Sequence, residues 1–168
     1  ITLGMRFVFD SSSRTTKIIS DSKPIPNGIL EHEEVTFQIT ITNTSESVQL
    51  EDLQLADNLS NICTGKLVSV GTPFIQSSTA TTNPILNPSF NGTSDTNIFN
   101  GTSGLLMANE SITVQFSAVF SENCSATNTA LFTAKDPLNN TVSSSNSVTI
   151  NVFTDTDNDG ISNVLDID

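Results

Sequence analysis

The chain has no tryptophan and no tyrosine, a single histidine, two cysteines and only six cationic side chains among 168 residues. Each scarcity excludes something. With His32 the only imidazole, a Ser-His-Asp or Cys-His arrangement would have to use that residue. His32 sits in Glu31-His32-Glu33-Glu34, the setting of a solvated turn. No Gly-x-Ser-x-Gly elbow and no phosphate-cradling glycine loop occurs. Six cations against 18 acids give a net charge of −12, which argues against nucleic acid and anionic lipid as partners. No apolar run approaches the ~18–20 residues of a membrane span, and no basic-then-apolar leader opens the chain. Zinc would want more thiols or imidazoles than Cys63, Cys124 and His32 supply.

Ser, Thr and Asn are plentiful, and the dominant period is two. Val35, Phe37, Ile39 and Ile41 alternate with Thr36, Gln38, Thr40 and Thr42. Ile112, Val114, Phe116, Ala118 and Phe120 alternate with mainly polar residues. Ala130, Phe132 and Ala134 do so with Leu131 interrupting, and Val148, Ile150 and Val152 close the series. Each segment reads as a strand with one buried and one wet face. Val48–Leu55 reads as a further strand whose apolar parity slips at Glu51-Asp52, the mark of a bulge. That slip aside, adjacent carboxylates on a strand point to opposite faces, a poor start for glycoside hydrolysis. Met5–Asp10, Thr15–Ser20 and Lys66–Val70 complete the expected strands. Residues 72–104 lack periodicity and read as a long connection with one short strand near Ile98-Phe99. No helical period appears. Seven to nine strands without helices predict an immunoglobulin-like β-sandwich over residues 1–153, though not an antibody-type domain, whose buried Trp and tyrosine corner are missing. Phenylalanine, ten copies of it, must supply all the aromatic core.

Residues 154–168 carry the clearest chemical pattern. Asp155, Asp157 and Asp159 stand at loop positions 1, 3 and 5, Gly160 at 6, Asn163 at 9 and Asp166 at 12. That spacing wraps one hard cation such as Ca²⁺, with Ile161 at position 7 contributing its backbone carbonyl. The coincidence of five ligand positions with the glycine favours a metal loop over a merely acidic tail. No exiting helix follows and Asp166 replaces the longer Glu, so an EF-hand sensor is not expected. Affinity should fall in the weak extracellular range, ~10⁻⁴–10⁻³ M. In such a chain Cys63 and Cys124 read as one disulfide rather than two free thiols.

Glu34-Val35-Thr36-Phe37-Gln38-Ile39-Thr40-Ile41-Thr42-Asn43-Thr44-Ser45 resembles the V-T-Y-T-I-T-V-T-N-T-G signature of the conserved repeat domain of bacterial surface proteins, an immunoglobulin-like family of unknown function. Ser45 stands where the signature has Gly. Leu50–Leu59, with its Asp-containing turn at Asp57, the Asn128-Thr129-Ala130 strand and Val148–Val152 extend the likeness over roughly residues 15–153. The terminal loop is similar to thrombospondin type-three-like calcium repeats, with Asn163 in place of a more usual Asp. Such repeats join domains in very large adhesins of the Bacteroidetes, so the pair of resemblances implies a surface or secreted adhesin exported by the type IX pathway.

The expected function is a non-enzymatic stalk or spacer, with calcium stiffening the joint to a following domain. Without the ion, five nearby carboxylates repel and the joint flexes. The expected partners are neighbouring domains of the same long chain and cell-surface or matrix ligands. The chain starts without Met and stops on the loop, which reads as a piece of a longer protein. The rivals are an adhesin tip that binds glycan, ice or protein through the 72–104 connection, and a strand-exchanging filament subunit. Lys17 and Lys23, near Asn- and Asp-bearing strands, would suit an isopeptide link, a minor reading because the sequence places no partners. Outward Thr36, Thr40 and Thr42 read as a solvated strand face rather than a binding row. Of seven Asn-x-Ser/Thr sequons, at Asn43, Asn58, Asn91, Asn100, Asn109, Asn123 and Asn139, most are what this composition yields by chance.

Overall fold

Strands form where β-branched and aromatic residues alternate with Ser, Thr and Asn, and two sheets result because each strand has one apolar face to hide. The computed structural model describes residues 2–8, 28–101, 103–157 and 162–163, with the backbone alone for 2–8 and Gly28. Among the described residues ten strands run in chain order: β1 (Thr2–Val8), β2 (Gly28–Leu30), β3 (Glu34–Thr42), β4 (Leu50–Asp57), β5 (Leu67–Val70), β6 (Phe74–Ser78), β7 (Ser103–Leu106), β8 (Ser111–Phe120), β9 (Cys124–Lys135) and β10 (Thr141–Phe153). One sheet has the order β1-β3-β8-β5, with β6 also paired to β8; the other is β2-β10-β9-β4-β7. Among the described residues all strand pairings are antiparallel except β2 with β10. The all-β, immunoglobulin-like sandwich expected from the period of two is present. Among the described residues there is no α-helix, and none long and apolar enough to cross a membrane.

The core lies between β3/β8 and β4/β9/β10. Val35, Phe37, Ile39 and Ile41 meet Ile112, Val114, Phe116, Ala118 and Phe120 along one sheet, facing Leu53, Leu55, Ala130, Phe132, Ile150 and Val152 on the other, all buried. Phe37 stacks on Phe116 with ring centroids 5.2 Å apart. The outward parity is polar: Ser125 bonds Asn151 at 2.6 Å, Thr127 pairs with Thr149 and Thr129 with Ser147. Leu131, which interrupts the alternation of β9, takes this outward side. At the β9–β10 hairpin Asp136 accepts from the Leu138 and Asn140 amides and from Asn140 Nδ2. Asn139 supplies the left-handed residue, φ 64°.

The parity slip of β4 is a bulge at Asp52, φ 52°, where the register with β9 jumps between Glu51 and Gln54. Two differences from expectation stand out. The short strands β2, β6 and β7 carry too little alternation to be seen in sequence. Asn97 and Phe99 form isolated bridges on either side of Ile98 rather than a strand, yet Ile98 and Phe99 are fully buried. Thr15–Ser20 lies outside the described residues, as does the end of the expected Met5–Asp10 strand.

The 72–104 connection is packed, not free. Phe90 meets Phe116 edge-on at 5.0 Å, the Ile98 amide donates to Leu55 O at 2.7 Å, and the Asp57 amide donates to Thr96 O at 2.9 Å. Its Asn residues serve the turns: Asn91 Oδ1 accepts from Thr93 N and Asp95 N, and Asn87 Nδ2 donates to Asp95 and Asn97. Truncating Phe132 to Ala should empty the middle of the core and cost about 3–5 kcal/mol, read as a lower urea midpoint. A loss below about 1 kcal/mol would mean that the sheets do not depend on this layer.

Candidate functional site

Three places bring chemically distinctive side chains together. The first is the junction after β10. The Glu31 amide donates to Phe153 O at 2.8 Å, and the Asp155 amide reaches Glu31 Oε1 at 3.4 Å, so the exit from β10 is tied to the turn after β2. The chain then folds back on itself. Asn163 N donates to Thr154 O at 2.9 Å, Thr156 N donates to Asn163 Oδ1 at 2.9 Å, and Asn163 Nδ2 bonds Thr156 Oγ1 at 2.6 Å. Asp155 is buried, Asp157 exposed. Asp159, Ile161 and Asp166, the remaining expected ligands, lie outside the described residues. Among the described residues no three His, Cys, Asp or Glu side chains converge as a metal group. Asn163 uses its oxygen to close the loop, though a carbonyl oxygen with two lone pairs can still reach an ion.

The second place is the Cys63–Cys124 disulfide, the pairing expected from sequence, with Cα atoms 5.5 Å apart and 61 residues of separation. Cys63 follows a 3-10 turn at Leu59–Asn61, and Cys124 opens β9. The bridge pins the β4–β5 crossover to the second sheet. In the chain-entropy account a loop of this length stabilises the fold by about 4 kcal/mol. Beside it the groove lined by Leu59, Ile62, Leu67, Val68 and Val70 encloses ≈ 400 Å³ and has no acid, base or thiol in its wall.

The third place was invisible to motif reading. Asp57 ends β4 and Asn128 lies in β9, both on the inward parity and both with 0% exposure. Asn128 Nδ2 donates to Asp57 Oδ2 at 2.9 Å. Burial raises the Asp57 carboxyl from an ordinary 3.8 to about 7, a rise that the Asn128 hydrogen bond only partly offsets. The signal available in sequence was parity: Asp57 continues Leu53 and Leu55, and Asn128 precedes Ala130, Phe132 and Ala134 at steps of two.

The other candidates are surface features. His32 is an exposed turn residue at φ 63°, its amide donating to Phe120 O at 2.8 Å. Thr36, Thr40 and Thr42 are half-buried on the outward side of β3, and Thr40 pairs with Thr113. Lys17 and Lys23 lie outside the described residues. The sequon at Asn43 is closed to glycosylation, because its buried Nδ2 already donates to Val48 O and Leu106 O.

No protein-family model matches the chain, and no curated protein matches it in sequence. Among solved structures, BcpA, the major pilin subunit of Bacillus cereus, aligns at TM-score 0.50 and 9% identity over 90% of this chain and 40% of that one. A variant of that subunit aligns at TM-score 0.51 and 8% identity over 91% and 40%. At such identities the likeness is one of fold. The chain spans about two-fifths of the length of these pilin structures. Structures at lower scores include both the collagen-binding subdomain of an Enterococcus faecalis surface protein, TM-score 0.33, and a Clostridium perfringens glycoside hydrolase, TM-score 0.38, and carry no functional argument.

Two outcomes follow from this geometry. An acid whose pKa rises on folding holds its proton more tightly in the native state, so Asp57 adds no penalty below its unfolded value. It destabilises progressively as pH rises from about 4 to about 7, and the penalty is constant above that. The full cost is up to roughly 4 kcal/mol. Asp57→Asn should flatten the dependence of the urea midpoint across that window, and an unchanged slope would contradict the assignment. Reducing the disulfide, or Cys63→Ser with Cys124→Ser, should lower stability by about 2–5 kcal/mol in the same assay.

Proposed function

We propose that this chain is a non-enzymatic structural module of a bacterial surface protein, a spacer or stalk element in an adhesin or surface fibre. One observation carries the reading: the chain enters and leaves the sandwich at opposite poles. β1 begins at Thr2 opposite Thr42, the last residue of β3. β10 ends at Phe153, bonded to Glu31 three positions before β3 starts at Glu34. Entry and exit are therefore separated by the length of β3, about 30 Å at 3.3 Å per residue. Tension between these points runs along the strands. It loads the β1–β3 ladder and the β10 ladders in shear, so that many hydrogen bonds must fail together.

Other features support the same reading. A disulfide suits an oxidising, extracellular setting. The pilin-like fold is one that a surface fibre can use, and the resemblances to a surface-protein repeat and a calcium repeat point the same way. A tip that binds through 72–104 is less well supported, since that connection spends Phe90, Ile98 and Phe99 on the core.

Calcium has its place in this proposal at the exit pole. Asp155, Asp157, Asp159, Asn163 and Asp166, with the carbonyl of Ile161, form a hard-oxygen donor set of the kind Ca²⁺ takes. The first of these is anchored through Glu31. An ion gathered there would extend the ordered path of β10 into whatever follows.

Calorimetry on the intact chain should give saturable heat at millimolar Ca²⁺, lost on Asp155→Ala with Asp157→Ala. Small-angle scattering from two copies in tandem should show an elongated particle that lengthens when Ca²⁺ is added. Absence of heat would remove calcium from the account, and a compact tandem particle would contradict the spacer itself.

A further inference from the structure

The pentapeptide Phe-Asn-Gly-Thr-Ser occurs twice in this chain, as Phe90-Asn91-Gly92-Thr93-Ser94 and as Phe99-Asn100-Gly101-Thr102-Ser103. In both copies the phenylalanine is buried and the asparagine exposed. An Asn-Gly step is prone to close on itself, because the glycine nitrogen reaches the asparagine side-chain carbon with no Cβ in the way. The same chemistry is therefore offered at two places, and the fold treats them differently.

Asn91 is locked. Its Oδ1 accepts from the Thr93 amide at 3.0 Å, the Thr93 hydroxyl at 3.1 Å and the Asp95 amide at 3.0 Å, while its Nδ2 donates to Ser94 Oγ at 2.9 Å. The nucleophile is held as well, since Gly92 N donates to Asp95 O at 3.1 Å. Gly92 is buried, and its carbonyl accepts from the Leu59 amide at 2.6 Å. A Cβ on it would lie 2.7 Å from Leu59 Cδ1. Closing a ring at this step means turning Gly92 against a buried leucine and giving up these bonds.

Asn100 is held through its main chain alone, its amide donating to Ile85 O at 2.7 Å. Among the described residues neither its side chain nor the Gly101 nitrogen makes a hydrogen bond. Gly101 is exposed at φ 79°, and beyond its chain neighbours no heavy atom comes within 4 Å of where a Cβ would stand. Electrophile, nucleophile and the space for a ring are all free.

We propose that Asn100-Gly101 is a self-modification site, at which the folded chain converts Asn100 to an aspartyl or isoaspartyl residue through a cyclic imide while the same step at Asn91 is held back. The Gly101 nitrogen, giving its proton to hydroxide, attacks Asn100 Cγ, and the carbonyl pair moves to Oδ1. As that pair returns, the Cγ–Nδ2 bond breaks and the nitrogen takes a proton from water and leaves as ammonia. Water then opens the ring at either carbonyl. Breaking the new Cγ–N bond gives aspartate; breaking the bond at the main-chain carbonyl gives isoaspartate, with the chain running through Cγ. One water is consumed and one ammonia released, and nothing is oxidised or reduced.

The product adds a carboxylate to a chain already at −12. Its isoaspartyl form also lengthens the main-chain path just ahead of β7, the edge of the second sheet. The chain has no means of reversing the change, so conversion records the age of the module. The proposal stands or falls separately from the spacer role and from calcium. A third Asn-Gly step, Asn27-Gly28, has its asparagine outside the described residues, so the readout must resolve sites.

The test holds the purified, folded chain at mildly alkaline pH for days and follows it by peptide mapping, with fragmentation that separates aspartyl from isoaspartyl residues. Cleavage after Phe90 and Phe99 puts the two sites on different peptides. The amide-to-acid mass gain should appear first at Asn100, with Asn91 slower by roughly tenfold or more, because an opened state that forfeits two or more hydrogen bonds is rarer by that factor. In urea, with the disulfide reduced, the two pentapeptides should convert at similar rates, which assigns the difference to the fold. Asn100→Gln, whose longer side chain closes a larger ring slowly, should remove the early gain and leave Asn91 as it was. An Asn100 that keeps its amide in the folded chain while converting in urea would overturn the proposal. So would an Asn91 that converts as fast as Asn100 in the folded chain.

Discussion

Between β3–β8 on one side and β4–β9 on the other lies a single apolar layer, and the placement of nearly everything else depends on it. Phenylalanine alone supplies its aromatic mass: Phe37, Phe116, Phe120 and Phe132 fill the centre, and Phe90 and Phe99 arrive from the long connection. Each such side chain contributes on the order of 2–3 kcal/mol by leaving water. That sum holds two sheets face to face although their outer surfaces are almost entirely hydroxyl and amide. The crossovers follow from this layer. β3 passes to the opposite sheet at Asn43, whose side chain and backbone together bind the strands at that pole. β4 passes back through the 3-10 turn that Cys63 fastens to β9.

The same layer makes its polar members costly, and here the structure divides them into two kinds. Asn43 is spent fully on local hydrogen bonds and serves only to join elements. Asp57 and Asn128 each leave one acceptor atom without a partner among the described residues, in an interior where each such atom and each shift in protonation carries a large free energy. A carboxyl that burial pushes up to about 7, hydrogen-bonded to an amide, is a chemical feature as well as a packing one. The difference lies in satisfaction, not in burial.

Much of this architecture was legible from alternation alone. β3, β8 and β10 announce themselves by parity, and the slip at Glu51-Asp52 appears as a real bulge with Asp52 in the left-handed region. The edge strands β2, β6 and β7 were harder: β2 has three residues and no room for a period, and of β6 only Ile75 packs against the core, whereas β5 was read from Lys66–Val70. The 72–104 connection concealed its order because it is held by Asx turns and isolated bridges, which have no period. The disulfide followed from counting cysteines and judging compartment, whereas the Asp57–Asn128 pair required asking which polar residues share the parity of apolar ones. Of the calcium ligands expected from spacing, Asp155, Asp157 and Asn163 fall directly beyond β10, and the others lie outside the described residues.

Joined together, these features describe a module with a long axis. The chain enters beside Thr42, leaves beside Glu31, and has strand ladders and a disulfide between. The most direct measurement of that account is single-molecule pulling along two directions, once through the two ends of the chain and once through the C-terminal end and the Asn139 hairpin, which peels β10 from β9. The account predicts a markedly higher rupture force for the end-to-end direction, with a contour-length gain that grows after reduction releases the residues between Cys63 and Cys124. Equal forces in both directions, or gradual yielding at low force when the ends are pulled, would contradict it.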